Sequence, residues 1–365
     1  MRILSIFGTR PEAIKMAPVV RELERRKEIE SLICVTAQHR QMLDAVLKAF
    51  AIRPDFDLDI MRPAQTLCGI TTAALTGLDG VIDRARPDLV LVHGDTSTTL
   101  AGALAAFYHQ VPIGHVEAGL RTGEKYRPFP EEMNRQLTDR LCDLCFAPTE
   151  RSRDHLLREN IPAERIVVTG NTAIDALAVT VRPDFSHPAL DWAGENRLIL
   201  LTAHRRENLG APLRRIFRAV RRLAERFDDV RVICPVHLNP AVRQAAKEEL
   251  SGCARVRLIE PPDAPDFHNL LARAYLVLTD SGGIQEEAPA LGKPVLVLRD
   301  TTERPEGLEA GTLRLVGTGE EGILHAAEEL LQDPEAYARM SRASNPYGDG
   351  HASRRIADAI LARFG

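Results

Sequence analysis

A chain of 365 residues is long enough to fold as two domains of ordinary size. Its 44% hydrophobic and 27% charged residues are the balance of a globular protein, which excludes wholesale disorder. A net charge of −4 gives no general attraction to nucleic acid or to an anionic membrane, so an anionic ligand has to be held by local cations and backbone amides.

From the first residues onward, short apolar runs alternate with helix-like segments. Met1 and Arg2 leave too few apolar residues before Gly8 for a signal-peptide core, and no apolar run approaches the length of a membrane span. The six cysteines are scattered, mostly in or beside apolar runs, as reduced thiols are in a cytoplasmic protein. Cys142 and Cys145 form a CxxC next to the apolar Phe146–Ala147 with no second ligand pair, which reads as packing. Strands are predicted at Ile3–Phe7, Leu32–Thr36, Leu89–His93, Ile113–Glu117 and Ile166–Thr169. A second set follows at Leu198–Thr202, Val230–Cys234, Val256–Ile259, Leu276–Thr279 and Val295–Leu298. These runs lack strict alternation, as strands covered on both faces do. Segments such as Ala13–Lys27 and Leu213–Arg226 carry apolar residues at helical spacing between them.

This order predicts an α/β protein with two Rossmann-like, doubly wound parallel sheets. The division is placed at Gly170: residues 1–170 as the first domain, 171–350 as the second, and the final helix 351–365 packing back on the first. Ligands of such sheets bind beyond the carboxyl ends of the strands, so the site is expected in the cleft between the domains.

The strand ends carry the candidate chemistry. The first runs into Gly8-Thr9-Arg10-Pro11-Glu12, with Lys15 one turn on. A glycine, a helix start and two cations suit an anion, although an arginine there, taken alone, is more often a surface residue. Neither a GxGxxG nor a P-loop spacing is present, so no nicotinamide or nucleoside-triphosphate fingerprint is found. Asp95 and Glu117 end two buried strands, and buried charge needs a reason. Glu131 and Glu132 open a helix, where acidic residues complement the dipole, and Glu132 is read that way. In the second half His204 shares a strand end with Arg205 and Arg206, and His237 closes the next strand. Thr279-Asp280-Ser281-Gly282-Gly283 takes a strand into a helix start with free amides and a hydroxyl, a cradle for a diphosphate, with Glu287 one turn in and Arg304 after the following strand. His109, His155, His187, His268 and His351 read as ordinary surface or loop residues. No cluster has metal-ligand spacing, and neither a metal nor a cofactor is expected.

The stretches FGTRPEAIKMAP (7–18), HGDTSTT (93–99), GHVEAGLRT (114–122), PFPEEMNRQ (128–136), HRREN (204–208), TDSGGIQEEAP (279–289) and RDTTERPE (299–306) resemble, in order and spacing, the non-hydrolysing UDP-N-acetylglucosamine 2-epimerases. The resemblance runs from Met1 to the NPYGDG segment at 345–350. It implies a GT-B-like arrangement, a homodimer, and interconversion of UDP-GlcNAc and UDP-ManNAc for surface polysaccharides. It further implies that Arg10, Lys15, Asp95, Glu117, Glu131 and His204 surround the sugar and diphosphate. Ser281, Gly282, Gly283, Glu287 and Arg304 match UDP-binding positions, and Phe267 the residue packed near the uracil. Gln38, Gln41, Arg205 and His237 match contacts to an activating second UDP-GlcNAc in some members. Two departures stand out. Ala64 replaces a frequent arginine and removes a cation from the activator pocket. Pro262-Asp263-Ala264-Pro265 replaces a Gln-Glu-Tyr-Leu pattern, leaving the base to backbone and Phe267.

Inverting C2 of an N-acetylhexosamine is hard because no carbonyl acidifies its C–H. Without a nicotinamide, the remaining route expels UDP from C1 while a base takes the C2 proton, giving a 2-acetamidoglucal to which UDP adds back. This needs cations and amides for the diphosphate and acid–base groups near C2. Arg10, Lys15, Arg304 and the 281–283 turn suit the first need. Asp95, Glu117 and Glu131 suit the second, and His204 is placed at the leaving phosphate. A glycosyltransferase of the same fold, a hydrolysing epimerase, or a non-catalytic sensor are the competing readings; three acidic groups argue against the sensor.

Overall fold

Continuous apolar runs become strands whose alternate residues enter two different helix layers. The computed structural model describes residues 1–37, 40–62 and 65–365, and the side chains of these except 40–42. Among them the first sheet comprises β1 (Arg2–Phe7), β2 (Glu30–Val35), β3 (Phe56–Asp57), β4 (Leu89–His93), β5 (Ile113–Val116), β6 (Leu144–Ala147) and β7 (Ile166–Val168). The second comprises β8 (Arg197–Thr202), β9 (Val230–Pro235), β10 (Val256–Ile259), β11 (Leu276–Thr279), β12 (Val295–Val297) and β13 (Leu313–Leu315). The strand orders are β3-β2-β1-β4-β5-β6-β7 and β10-β9-β8-β11-β12-β13, and the paired strands run parallel.

β3, β6 and β13 are absent from the sequence prediction. β3 is two residues long, β6 abuts the preceding helix with only Cys142 and Asp143 between, and β13 is a half-exposed edge of three residues. None offers enough periodicity to be told from its surroundings.

The pleat sorts each strand. Ile3 and Phe7 of β1 join Leu89 and Leu91 of β4 in one core, while Leu4 and Ile6 join Val90 and Val92 in the other. β8 does the same, sending Ile199 and Leu201 to one side and Leu198 and Leu200 to the other. Each fully buried Leu, Ile or Phe contributes about 1.5–3 kcal/mol, so both faces of both sheets are strongly held.

The chain divides into two compact units, Met1–Val179 with Tyr347–Gly365, and Thr180–Pro346. Within the first, Ile356, Ala357 and Ile360 of the last helix, Ala352–Phe364, join the core that contains Ala13, Ala17 and Val20 of the helix Arg10–Glu24. Asp175 fixes the start of that last helix by accepting from the Ala352 and Ser353 amides at 3.1 and 2.7 Å. Cys142 and Cys145 are buried, and burial pushes both thiols up, as suits packing rather than redox chemistry.

Candidate active site

In an open parallel sheet the crevice for a ligand opens where strand order reverses. The first sheet reverses between β1 and β4, so the turns after Phe7 and His93 lie side by side. Gly8 is needed there for packing: a Cβ would fall 2.0 Å from Thr36 Oγ1 and 2.6 Å from Thr98 Oγ1. Glu12, which received no role from the sequence, ties the two turns together. One carboxylate oxygen accepts from the Gly8 and Thr9 amides at 3.0 and 2.7 Å, and the other from the hydroxyls of Thr96 and Thr99 at 2.7 and 3.1 Å. Thr9 and Glu12 are a capping box, the one sequence signal that marks this residue.

Thr9, Arg10, Glu12, Lys15, His93, Asp95, Glu117 and Glu131 line a cavity of about 580 Å³. The structure thus brings together, within the first unit, all the acidic candidates and both cations named from it. Lys15 is ion-paired with Glu117, so an ammonium and a carboxylate meet within the cavity. Glu117 sits at φ +68°, a left-handed conformation costing a side-chain residue about 1–3 kcal/mol, which turns its carboxylate off the end of β5. Asp95 is gripped by Arg135, 2.5 Å from Oδ2, and its carbonyl accepts from Asn134 at 2.8 Å. Burial pushes the Asp95 carboxyl up; Arg135 opposes this, and Glu117 and Glu131 add to it. Arg135 was missed, although it lies one turn after Glu131 on the same helix, Glu131–Leu141. His93 is fully buried, and burial pushes it down to about 3, against Glu117 and with Lys15 and His115, so its imidazole is neutral.

Glu132 does more than complement the helix dipole. Its buried carboxylate accepts from the Thr122 and Gly123 amides at 3.1 and 3.2 Å and from Gln136 at 2.9 Å. Burial works to raise its pKa, but these bonds and Arg135 bring it below the ordinary value. It anchors the 122–123 loop and does not line the cavity.

The second sheet reverses between β8 and β11, which brings the turns after Thr202 and Thr279 together. Asp280, fully buried, locks them: Oδ2 accepts from the His204 and Arg205 amides, both at 2.8 Å, and from Asn208 at 3.0 Å. The helix Gly282–Ala290 opens on Ser281, whose side chain makes no cap bond to the helix's first amides. A Cβ on Gly282 would meet the Arg304 guanidinium at 3.1 Å and Arg205 Nη2 at 3.4 Å. Two guanidinium groups therefore stand at one helix start, Arg304 aimed by Glu286 at 2.8–2.9 Å. The His204 and His237 rings stack at 5.1 Å between centroids and 7° between planes. Burial pushes His204 down; Asp280 opposes this, and His237 and Arg205 reinforce it.

Glu287 lies beside Gly283, whose Cβ would be 3.7 Å from Oε1, and 3.7 Å from His268 Nε2. His268 is not the surface residue expected. It is buried in the helix Ala264–Arg273, with Nδ1 at 2.8 Å from the Thr180 hydroxyl. Phe267 on the same helix packs, partly buried, against the core that contains Leu270 and Ile284. The departing segment 262–265 has a local purpose: Asp263 caps that helix, accepting from Asp266 at 2.9 Å, with Pro265 in its first turn. Gln38 and Ala64 lie outside the described residues, as does the side chain of Gln41. Among the described residues no helix is long and apolar enough to cross a membrane, and no trio of His, Cys, Asp or Glu is arranged to hold a metal ion.

Two doubly wound parallel sheets on one chain, each with polar turns at its reversal point, define an α/β protein of the GT-B-like class. The family profile described as UDP-N-acetylglucosamine 2-epimerase matches residues 21–361. The UDP-N-acetylglucosamine 2-epimerase of Bacillus subtilis (strain 168) is 62% identical over 365 residues, covering 100% of this chain and 96% of its own. The UDP-GlcNAc 2-epimerase of Neisseria meningitidis, solved bound to UDP-GlcNAc, is 48% identical with a TM-score of 0.89 over 100% of both chains. The Methanocaldococcus jannaschii UDP-GlcNAc 2-epimerase, solved with UDP-GlcNAc and UDP, is 35% identical with a TM-score of 0.80 over 99% of this chain and 100% of its own. The chain belongs to the UDP-N-acetylglucosamine 2-epimerase family.

Proposed function

We propose that this chain interconverts UDP-GlcNAc and UDP-ManNAc by expelling UDP to a 2-acetamidoglucal and adding it back. The observation that carries the reading is the cavity in which Asp95, Glu117 and Glu131 converge at the β1/β4 reversal. Asp95, biased by burial toward its protonated form, suits the proton donor, and Glu117, ion-paired to Lys15, suits the acceptor. Glu131, at the cavity rim, completes the acid–base set. In the second unit, Arg304, Arg205 and the Ser281–Gly283 helix start stabilise the departing diphosphate, with His204 beside it. Glu287 is assigned to the ribose hydroxyls and Phe267 to the uracil. The relatives solved with UDP-GlcNAc and UDP support this choice of substrate. A cytoplasmic homodimer belongs to the same proposal, and light scattering of the purified chain tests the dimer.

The experiment is NMR of UDP-GlcNAc with the purified chain in deuterated water. UDP-ManNAc carrying deuterium at C2 is the expected product. Free N-acetylmannosamine would indicate a hydrolase, and no product without an acceptor would indicate a transferase. Asp95→Asn, Glu117→Gln and Glu131→Gln should each reduce kcat by about 10²–10⁴ while UDP binding persists. Near-wild-type turnover in all three would refute the assignment.

A further inference from the structure

Both ring nitrogens of His115, fully buried on β5, meet oxygens that can only accept. Nδ1 lies 2.6 Å from Asp139 Oδ1, and Nε2 lies 2.7 Å from the carbonyl of Gly94. A backbone carbonyl has no proton to give. Asp139 has none either. Burial works to raise its pKa, but His115 and Arg121 hold its carboxyl below the ordinary range. Its Oδ2 is already an acceptor for the Gly119 amide at 3.2 Å and for Arg121 at 2.6 Å. A neutral imidazole offers one N–H and would leave one of the two short contacts as facing lone pairs. We infer that His115 is an imidazolium, protonated on both nitrogens, and that it is a positioning residue for the acid–base pair Asp95 and Glu117.

The bonds show what is positioned. Asp95 follows Gly94, and Glu117 stands two residues past His115. The Gly94 amide donates to the Val116 carbonyl at 2.9 Å while the His115 ring donates to the Gly94 carbonyl, so the ends of β4 and β5 are clasped from both sides. Asp139 extends the clasp to Gly119, on the far side of Glu117. Gly94 and Glu117 both sit in the left-handed region, at φ +69° and +68°, conformations that neighbouring contacts have to hold. Charge-assisted bonds are shorter and stronger than neutral ones, which suits a clasp beside the strained Glu117. The nearby buried histidine, His93, takes the opposite state and stays neutral.

This rests on the reading of Asp95 and Glu117 proposed above. It is tested on the full chain by ¹⁵N-imidazole NMR, with the His115 signals identified by their loss in H115Q. Both nitrogens should carry a proton, and Asp139→Asn should remove the second one. H115Q and D139N should each lower kcat about 10²-fold, with the Kd for UDP within about twofold of wild type. The double variant should lose little more than either single one. A bare nitrogen on His115 in the wild-type spectrum overturns the charge state; D139N provides a second identification of the signals should H115Q not fold. Full kcat in folded H115Q beside an inactive D95N overturns the positioning role and leaves the carboxylates standing. Full activity in both D95N and E117Q overturns the acid–base pair, and the positioning role with it, whatever the His115 spectrum shows.

Discussion

Glu12 is where one side chain holds the reversal point of the first sheet together, and two substitutions there should behave very differently. Glu12→Ala leaves the Gly8 and Thr9 amides without their acceptor at a residue that is only 2% exposed. Two orphaned amides at about 1–3 kcal/mol each give an expected loss of about 4 kcal/mol. Glu12→Gln should cost only about 1 kcal/mol. Its carbonyl can take the two amides, and its NH₂ can face the hydroxyls of Thr96 and Thr99, which rotate to accept. The pH dependence gives a second reading. Burial pushes the Glu12 carboxyl above its ordinary 4.5, although its bonds to Thr96, Gly8 and Thr9 pull the other way. The folded chain therefore binds this proton more tightly than the unfolded one. The resulting stability is full below 4.5 and is lost as the pH rises through the folded-state value. Wild type should thus lose ground against E12Q as the pH climbs above 4.5; Asp95 shifts in the same direction but is present in both chains and cancels. Urea unfolding followed by hydrogen exchange at Gly8 and Thr9 measures both effects. Equal destabilisation by Gln and Ala, or a pH trend of the opposite sign, would refute the reasoning.

The second-unit arginines lend themselves to binding measurements. Arg205→Ala and Arg304→Ala should each weaken UDP binding about tenfold by calorimetry, as loss of one charge-assisted bond to a phosphate would. An unchanged Kd in R205A would remove it from the diphosphate site. Gly119→Ala probes the backbone behind Glu117: at φ +84° an added Cβ falls 2.3 Å from the Ser152 carbonyl oxygen, which a rigid helix start cannot yield. A loss of more than about 2 kcal/mol, read by thermal unfolding, is expected.

Much of the architecture could be read from pattern alone. Runs such as Leu89–Val92 are apolar at every position because both faces are covered, and that marks a parallel sheet without any knowledge of neighbours. Asp95, Glu117 and the Ser281 turn stood out for the same local reason: charge or glycine directly after a buried strand. Of the strands that escaped, β3 and β13 are short edges of their sheets, and β6 is hidden because only Cys142 and Asp143 part it from the preceding helix.

What the order of residues does not contain is adjacency. Gly8 and Thr98 are 90 positions apart, and only the insertion of β4 beside β1 makes one forbid a side chain on the other. The same applies to the ion pair of Lys15 with Glu117, which only the fold brings together, and to His268, which reads as surface until its helix turns it inward. Arg135 and His115 carry no signature because their meaning lies in the partners, Asp95 and Asp139, that other elements bring to them. Local sequence determined which segments become strands and helices, since hydrophobic periodicity and capping act over a few residues. The tertiary structure alone decided which strand ends share a crevice, because strand order fixes which charges and amides come within hydrogen-bond reach.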